Sequence, residues 1–213
     1  MKFSLQLLES NNEIVKKILV SLRDHLSVVF DKSRKNVLRP VQDKIKIAIE
    51  SQPEYGALLS GQLKYELGIP SPDFVRSIID IWVQSIEIQS SAVTISGNSL
   101  SGGFSINAIQ STYNDVLSSS QAVIIDKYTG SQIPWLEWLL LRGGDILVAE
   151  YEVKMGPNPR SRTGQAVMVS SNQNYSIPAK YAGTERNNWV YRAISSLDDS
   201  ILDIIRNEVE RNL

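Results

Sequence analysis

The chain has 213 residues, 42% hydrophobic and 21% charged, with 22 Lys and Arg against 23 Asp and Glu and a formal net charge of −1. It has no cysteine and a single histidine, His25. That excludes disulfides, Cys-ligated zinc, iron–sulfur clusters, thiol catalysis and a multi-His metal site within one chain.

The length suits one domain, or one domain with an extension. A chain of this size buries roughly 70% of its unfolded surface and needs no disulfide or structural zinc to do so. The opening MKFSLQLLES lacks a long apolar core, and no run approaches ~18 apolar residues, so neither a signal peptide nor a membrane span is expected. Charge is uneven. Residues 1–50 carry a net +4, residues 51–100 and 101–150 each −3, and residues 151–213 a net +1. In a self-associating chain, patches of opposite sign can meet head to tail.

Residues 10–38 read as a long helix, with Ser10, Asn11 or Asn12 as its cap. Val15, Leu19, Leu22, Leu26, Val29 and Phe30 recur at steps of three and four. Pro40 is expected to kink or break it, and Val41, Ile45 and Ile49 carry the spacing into a second piece. The opposite face holds Lys16, Arg23, Lys32, Arg34, Lys35, Arg39, Lys44 and Lys46. So narrow an apolar stripe needs a partner, either the chain's own body or a neighbouring subunit. The division expected is therefore an N-terminal helical arm over 1–50 and an α+β body over 51–213.

Residues 52–90 predict two shorter helices. The first is QPEYGALLSGQLKYELGI, from Pro53 to a stop near Gly68. The second is SPDFVRSIIDIWV, capped by Ser71 with Pro72 at its first position. The period then changes to two. VQSIEIQ, AVTIS and GFSIN alternate, and GNSLSGG over 97–103 reads as a turn segment, so a small antiparallel meander is expected. INAIQSTYNDVL fits one helical turn, and SSSQAVIIDKY fits strand or helix equally.

IPWLEWLLLRGG predicts a compact helix from Pro134 to Gly143 and Gly144. Its Trp135, Trp138, Leu139 and Leu141 are apolar nearly all round, so it should be buried. DILVAEYEVKM is the strongest strand candidate. QAVMVS and NYSIP are further strands, and a last helix starts at Asn187 or Asn188 and carries Val190, Ile194, Leu197, Ile201, Ile204 and Ile205. The fold class expected is α+β: a long N-terminal helix, a small, mainly antiparallel central sheet with one buried helix, and a C-terminal helix.

No phosphate loop, dinucleotide fingerprint, zincin helix or nucleophile elbow is present. His25 lies on a long helix, without the orienting carboxylate and pocket that catalysis needs. Asp199 and Asp203 share a helical face, but two exposed carboxylates rarely hold a metal. Glu137, if buried, needs a donor such as Arg142. An enzyme would require a deep pocket gathering two or more of Asp115, Asp126, Glu137 and Asp145. The loop GPNPRSRTG is stiffened by Pro157 and Pro159 and presents Arg160 and Arg162, a geometry suited to a carboxylate or a phosphate. Solvated arginines, a protein contact and a nucleic-acid contact all remain open readings of it. No aromatic interleaves the basic stretch 32–46, so a base-stacking platform is not indicated.

Three segments carry a resemblance. IPWLEWLLLRG, then GPNPRSRTGQAVM, then IPAKYAGTERNNWVYRAI with its terminal amphipathic helix, are similar to virion structural proteins of tailed bacteriophages. More broadly, they resemble the tail-completion and head–tail joining group. The shared features are an aromatic-rich helix ending in glycine, a basic Ser/Arg/Gly loop entering a strand, and Gly-Thr before a helix that runs to the C-terminus. The similarity covers roughly residues 130–213. The front segments KFSLQLLES, SGQLKYELGI and LSGGFSI add to it.

The resemblance implies a non-enzymatic, cofactor-free subunit of a homo-oligomeric ring, a hexamer or dodecamer, between portal and tail tube. It implies other neck and tail proteins as partners, DNA in the ring lumen, no membrane, and assembly in the bacterial cytoplasm into the virion. The N-terminal helix exceeds what a minimal member of this group needs, which leaves adaptor, stopper, completion protein and tail terminator open. The interface residues expected are Lys32, Arg34, Lys35, Arg39, Trp135, Trp138, Arg160 and Arg162, with Trp135 and Trp138 also read as core. A nucleic-acid-binding module using 32–46 and the loop at 160–162 is the rival from another class.

Overall fold

The structure is a computed structural model that describes residues 10–108, 113–126 and 130–213. The expectations for KFSLQLLES before Ser10, for part of INAIQSTYNDVL and for the end of SSSQAVIIDKY fall outside these residues. The chain is α+β, with a long N-terminal helix, small antiparallel sheets and a C-terminal helix. Among the described residues every strand pairing is antiparallel, in three separate two-stranded sheets. The chain divides into two compact units.

The first unit comprises the described residues of 1–41 together with 87–107 and 201–213. Its frame is α1, Asn11–Glu50, which extends on into the second unit. Ser10 and Glu13 form a reciprocal cap: the Ser10 backbone N–H donates to Glu13 Oε2 at 2.8 Å, and the Glu13 N–H donates to Ser10 Oγ at 3.4 Å. These bonds lower the pKa of Glu13, the backbone bond from Ser10 most of all.

Of the kink or break expected at Pro40, the break does not occur; α1 runs through it as helix. Val29, Ser33, Val37, Val41, Ile45 and Ile49 are all buried, at unbroken four-residue steps. Packing along that stripe outweighs one missing hydrogen bond, and Pro40 itself is exposed, so the carbonyl of Asn36 can turn to water.

The hairpin of β1, Glu87–Ser96, and β2, Ser99–Asn107, replaces the expected meander of separate runs. Ile88 is even-numbered, whereas Val93 and Ile95 are odd-numbered, so an unbroken strand would put them on opposite faces. A bulge between Ser91 and Thr94 inserts one residue and brings Val93 to the side of Ile88. The turn is only Gly97–Asn98, with Gly97 at φ 58°, the left-handed value that two-residue hairpin turns require. Leu100 to Gly103, expected in the turn, are strand. Phe104 packs on Phe30 of α1, with ring centroids 5.1 Å apart. A Cβ at Gly102 would stand 3.2 Å from both Phe30 and Val93.

The second unit comprises 42–86 and the described residues of 108–200. The first expected short helix is two: α2, Pro53–Leu59, and α3, Gln62–Glu66. Gly61 divides them, where a Cβ would stand 2.8 Å from the Cα of Ala57. Then α4, Pro72–Gln84, starts as expected, with Ser71 Oγ accepting from the Asp73 N–H at 3.2 Å. It buries Val75, Ile78, Ile79 and Trp82. The Trp82 ring meets Tyr113 edge-on, with centroids 5.6 Å apart.

Next come α5, Asn114–Leu117, a 3-10 turn at Ser120–Ala122, and the short pair β3, Ile124–Ile125, with β4, Gln132–Ile133. The buried helix is α6, Trp135–Leu141. It is followed by β5, Tyr151–Met155, and β6, Ala166–Ser170. The expected strand from Asp145 starts only at Tyr151, because Glu150 takes a left-handed conformation at φ 61°. NYSIP is not a strand; Tyr175 makes one isolated bridge with Val148.

The expected single last helix is also two: α7, Trp189–Ser195, and α8, Asp198–Asn212. Ser196 Oγ bonds the Ala193 carbonyl at 2.7 Å where the first ends, and Asp198 and Asp199 occupy the first turn of the second. Residues 201–212 of α8 belong to the first unit, with α1.

Candidate functional site

The apolar stripe of α1 outruns its cover. From Val29 onward its residues are buried. In the N-terminal third, Val15, Ile18 and Leu22 lie on the same side of the helix but are 37%, 53% and 45% exposed. The spacing of 15, 18, 22 and 29 is the three-and-four alternation of a helix–helix seam. Leu19 is buried and Leu26 half-buried beside this row.

Lys32, Lys35 and Arg39 stand three and four residues apart and form one exposed row on α1. Arg34 is half-buried and turned away from that row. His25 is exposed.

The contact between α1 and α8 is polar at its centre, which the sequence reading missed. Glu208 is only 7% exposed, although it sits in the buried line of α8 with Ile201. Asn36 Nδ2 donates to its Oε1 at 2.7 Å, Asn212 Nδ2 at 2.9 Å, and the Arg211 guanidinium to its Oε2 at 2.8 Å. Buried Ser33 donates to the Glu208 carbonyl at 3.4 Å. The amide of Asn36 is the main cause that holds the Glu208 pKa down. A buried carboxylate so surrounded fixes the register of two helices. The available signal was a Glu at a position of the α8 stripe where periodicity asks for an apolar residue.

In the second unit the two arginines of the stiff loop differ. Arg162 turns inward: its guanidinium donates to Asp126 at 2.6 Å, with both side chains largely buried. It also lies close against Gly68, where a Cβ would meet it at 2.7 Å. Arg160 is exposed. The loop is tied within itself by Gly156 N–H to the Gln165 carbonyl at 2.7 Å and by Ala166 N–H to Ser161 Oγ at 3.2 Å. Between loop and body lies a cleft of about 550 Å³, lined among others by Glu66, Asp126, Arg160, Arg162 and Thr163.

Of the four carboxylates an enzyme reading would gather, only Asp126 lines this cleft. Asp115 accepts from Ser85 at 2.7 Å, and Asp145 from Arg142 at 2.9 Å. Arg142 thus reaches Asp145, and Glu137 is half-buried. Glu66 sits at the cleft wall, its pKa raised chiefly by burial.

Trp135 is fully buried and donates Nε1–H to the Gln121 carbonyl at 2.7 Å, so it is core and presents nothing to a partner. Trp138 is half-buried; the buried residues of α6 are Trp135, Leu136, Leu139 and Leu140. Asn188, also fully buried, caps α7 by accepting from the Tyr191 N–H at 3.0 Å and donates to Tyr113 Oη at 2.7 Å.

Among the described residues no cluster of three or more His, Cys, Asp or Glu is placed to hold a metal, and no helix is long and apolar enough to cross a membrane. No protein-family model, no curated protein and no solved structure matches the chain.

Proposed function

We propose that the chain is a structural protein of a tailed-bacteriophage virion: a subunit of a ring at the head–tail junction that joins the capsid portal to the tail. The resemblance of residues 130–213 supports the virion reading. The observation that carries the assembly reading is the open third of α1, where Val15, Ile18 and Leu22 continue a stripe that is buried from Val29 on. A row of large aliphatic side chains left in water on a helix favours coverage by another surface. A neighbouring subunit or layer supplies it in this account. A tail terminator capping the tail tube would use the same contact with different neighbours.

The exposed row Lys32, Lys35 and Arg39 favours a second reading, a DNA-binding module. It predicts affinity that falls steeply with salt.

Electron microscopy of the purified chain, alone and mixed with portal and tail-tube proteins, tests the first reading. Closed rings that dock onto either partner are expected. Particles lacking any ring or added layer, together with salt-sensitive DNA binding, would replace it by the second.

A further inference from the structure

The β1–β2 hairpin has two outer edges, and the devices that protect edges are distributed unequally between them. Folded proteins blunt an edge with charge, proline or a bulge. From Ile88 to Asn114 there is no Asp, Glu, Lys, Arg or Pro, although 21% of the whole chain is charged. The bulge between Ser91 and Thr94 interrupts the edge of β1. No such break falls in β2, which runs from Ser99 to Asn107 and, among the described residues, pairs only with β1.

The outward groups of β2 can be assigned. Ser91 Oγ donates to the Gly103 carbonyl at 3.3 Å and Thr94 Oγ1 to the Ser101 carbonyl at 3.4 Å, so these carbonyls face β1. By antiparallel alternation, the backbone N–H and C=O groups of Leu100, Gly102, Phe104 and Ile106 face away from it.

We propose that the outer edge of β2 pairs with the same edge of a second copy of this chain, antiparallel about Gly103, to make a four-stranded sheet across two protomers. Centred there, Leu100 stands opposite Ile106 and Gly102 opposite Phe104, and these are the residues whose backbone groups point outward. On the other face Ser101 stands opposite Ser105 and Ser99 opposite Asn107. Each apolar residue thus meets an apolar one or glycine, and each polar residue a polar one. No charge is placed against its own copy, and like charges directly opposite are what penalises such pairs. The self-matching of this neutral strand is what selects a second copy as the occupant. The contact is isologous and by itself makes a pair, not a ring. It therefore stands apart from the virion reading, and either can fail alone. One strand edge is smaller than a standard interface of ~1,600 Å², so the pair should form in the micromolar range or weaker.

The test is sedimentation of the full chain over a concentration series, for the wild type and for the double variant S101K/S105K. Both lysines fall on the exposed polar face, opposite one another in the proposed register. At least a tenfold weakening of dimerisation is expected, with unchanged circular dichroism. Q89K, on the same face of β1, should leave dimerisation as it is. Hydrogen exchange at Leu100, Gly102, Phe104 and Ile106 should slow with rising wild-type concentration. A wild type that stays monomeric into the millimolar range overturns the inference. So does a dimer that S101K/S105K leaves intact, whether or not rings with neck proteins form.

Discussion

The backbone N–H of Gly143 donates to the carbonyl of Gly183 at 2.8 Å, so the end of α6 and the turn before α7 meet main chain to main chain. These are the helix-ending glycine and the Gly-Thr glycine of the segments on which the proposed virion role rests. A Cβ on Gly143 would stand 2.3 Å from the Gly183 nitrogen, and one on Gly183 would stand 2.7 Å from the Leu139 carbonyl oxygen. Backbone lines both collisions and cannot swing aside as a side chain can.

Replacing either glycine should therefore be costly. G143A and G183A are expected to lose about 2–3 kcal/mol of stability, as overpacking does. G56A is the control: it lies inside α2 with nothing within 4 Å of the added carbon, and a helical Gly→Ala exchange in open space gains about 0.5–1 kcal/mol. Urea unfolding of the three variants checks the contrast.

Pro40 offers a gain at a site where sequence rules predicted a kink or a break. The helix runs on through an exposed proline that cannot donate a backbone bond. P40A should restore that bond and stabilise α1 by up to about 3 kcal/mol. A raised denaturation midpoint is expected; a lowered one would mean that the proline shapes a bend the packing needs.

Arg192 donates to Glu54, which is 1% exposed, and the second carboxylate oxygen of Glu54 lies buried with no hydrogen-bond partner among the described residues. Removing the arginine leaves a buried charge uncompensated. R192A should cost about 3–5 kcal/mol. E54Q/R192A should recover part of that loss in the same thermal melt, since the amide carries no charge to strand.

Glu208 makes the first unit sensitive to acid. Its folded pKa lies below the ordinary 4.5, held there first by the Asn36 amide. A carboxylate depressed on folding contributes stability that is present above about 4.5 and is lost as pH falls through the lower folded value. Stability measured downward from pH 6 should therefore fall once the pH passes below 4.5. In E208Q that slope should be shallower, on a background lowered by about 1–3 kcal/mol for the disturbed hydrogen bonds.

Long periodic stretches were legible in the sequence. Residues 11–38, 72–84 and the α6 segment are helices because their apolar residues recur at three and four, and Ser71–Pro72 starts α4 as capping rules require. Other features were hidden where a tertiary contact overrides a local signal. The four-step stripe from Val29 to Ile49 carries α1 past Pro40. The hairpin bulge reconciles Ile88 with Val93, which alternation alone assigns to opposite faces. The left-handed Glu150 delays β5, and nothing in DILVAEYEVKM marks it.

The expected contact residues divided by burial, which composition does not encode. Trp135 is core, Arg162 is tied to Asp126, and Lys32, Lys35, Arg39 and Arg160 remain exposed. The Asn36–Glu208 contact joins residues 172 positions apart, a pairing that no single-helix periodicity shows.

In the proposed role the open face of α1 serves assembly. Truncating the helix to residue 40 would also remove Phe30, Ser33 and Asn36, which hold the hairpin and α8. Point substitutions on the exposed row avoid that. Native mass spectrometry of the full chain, wild type against I18K/L22K, is the most direct measurement. A six- or twelve-fold species is expected for the wild type and its loss in the variant, with unfolding unchanged. A wild type that is monomeric alone and with every neck protein, or a variant that assembles equally well, would contradict it.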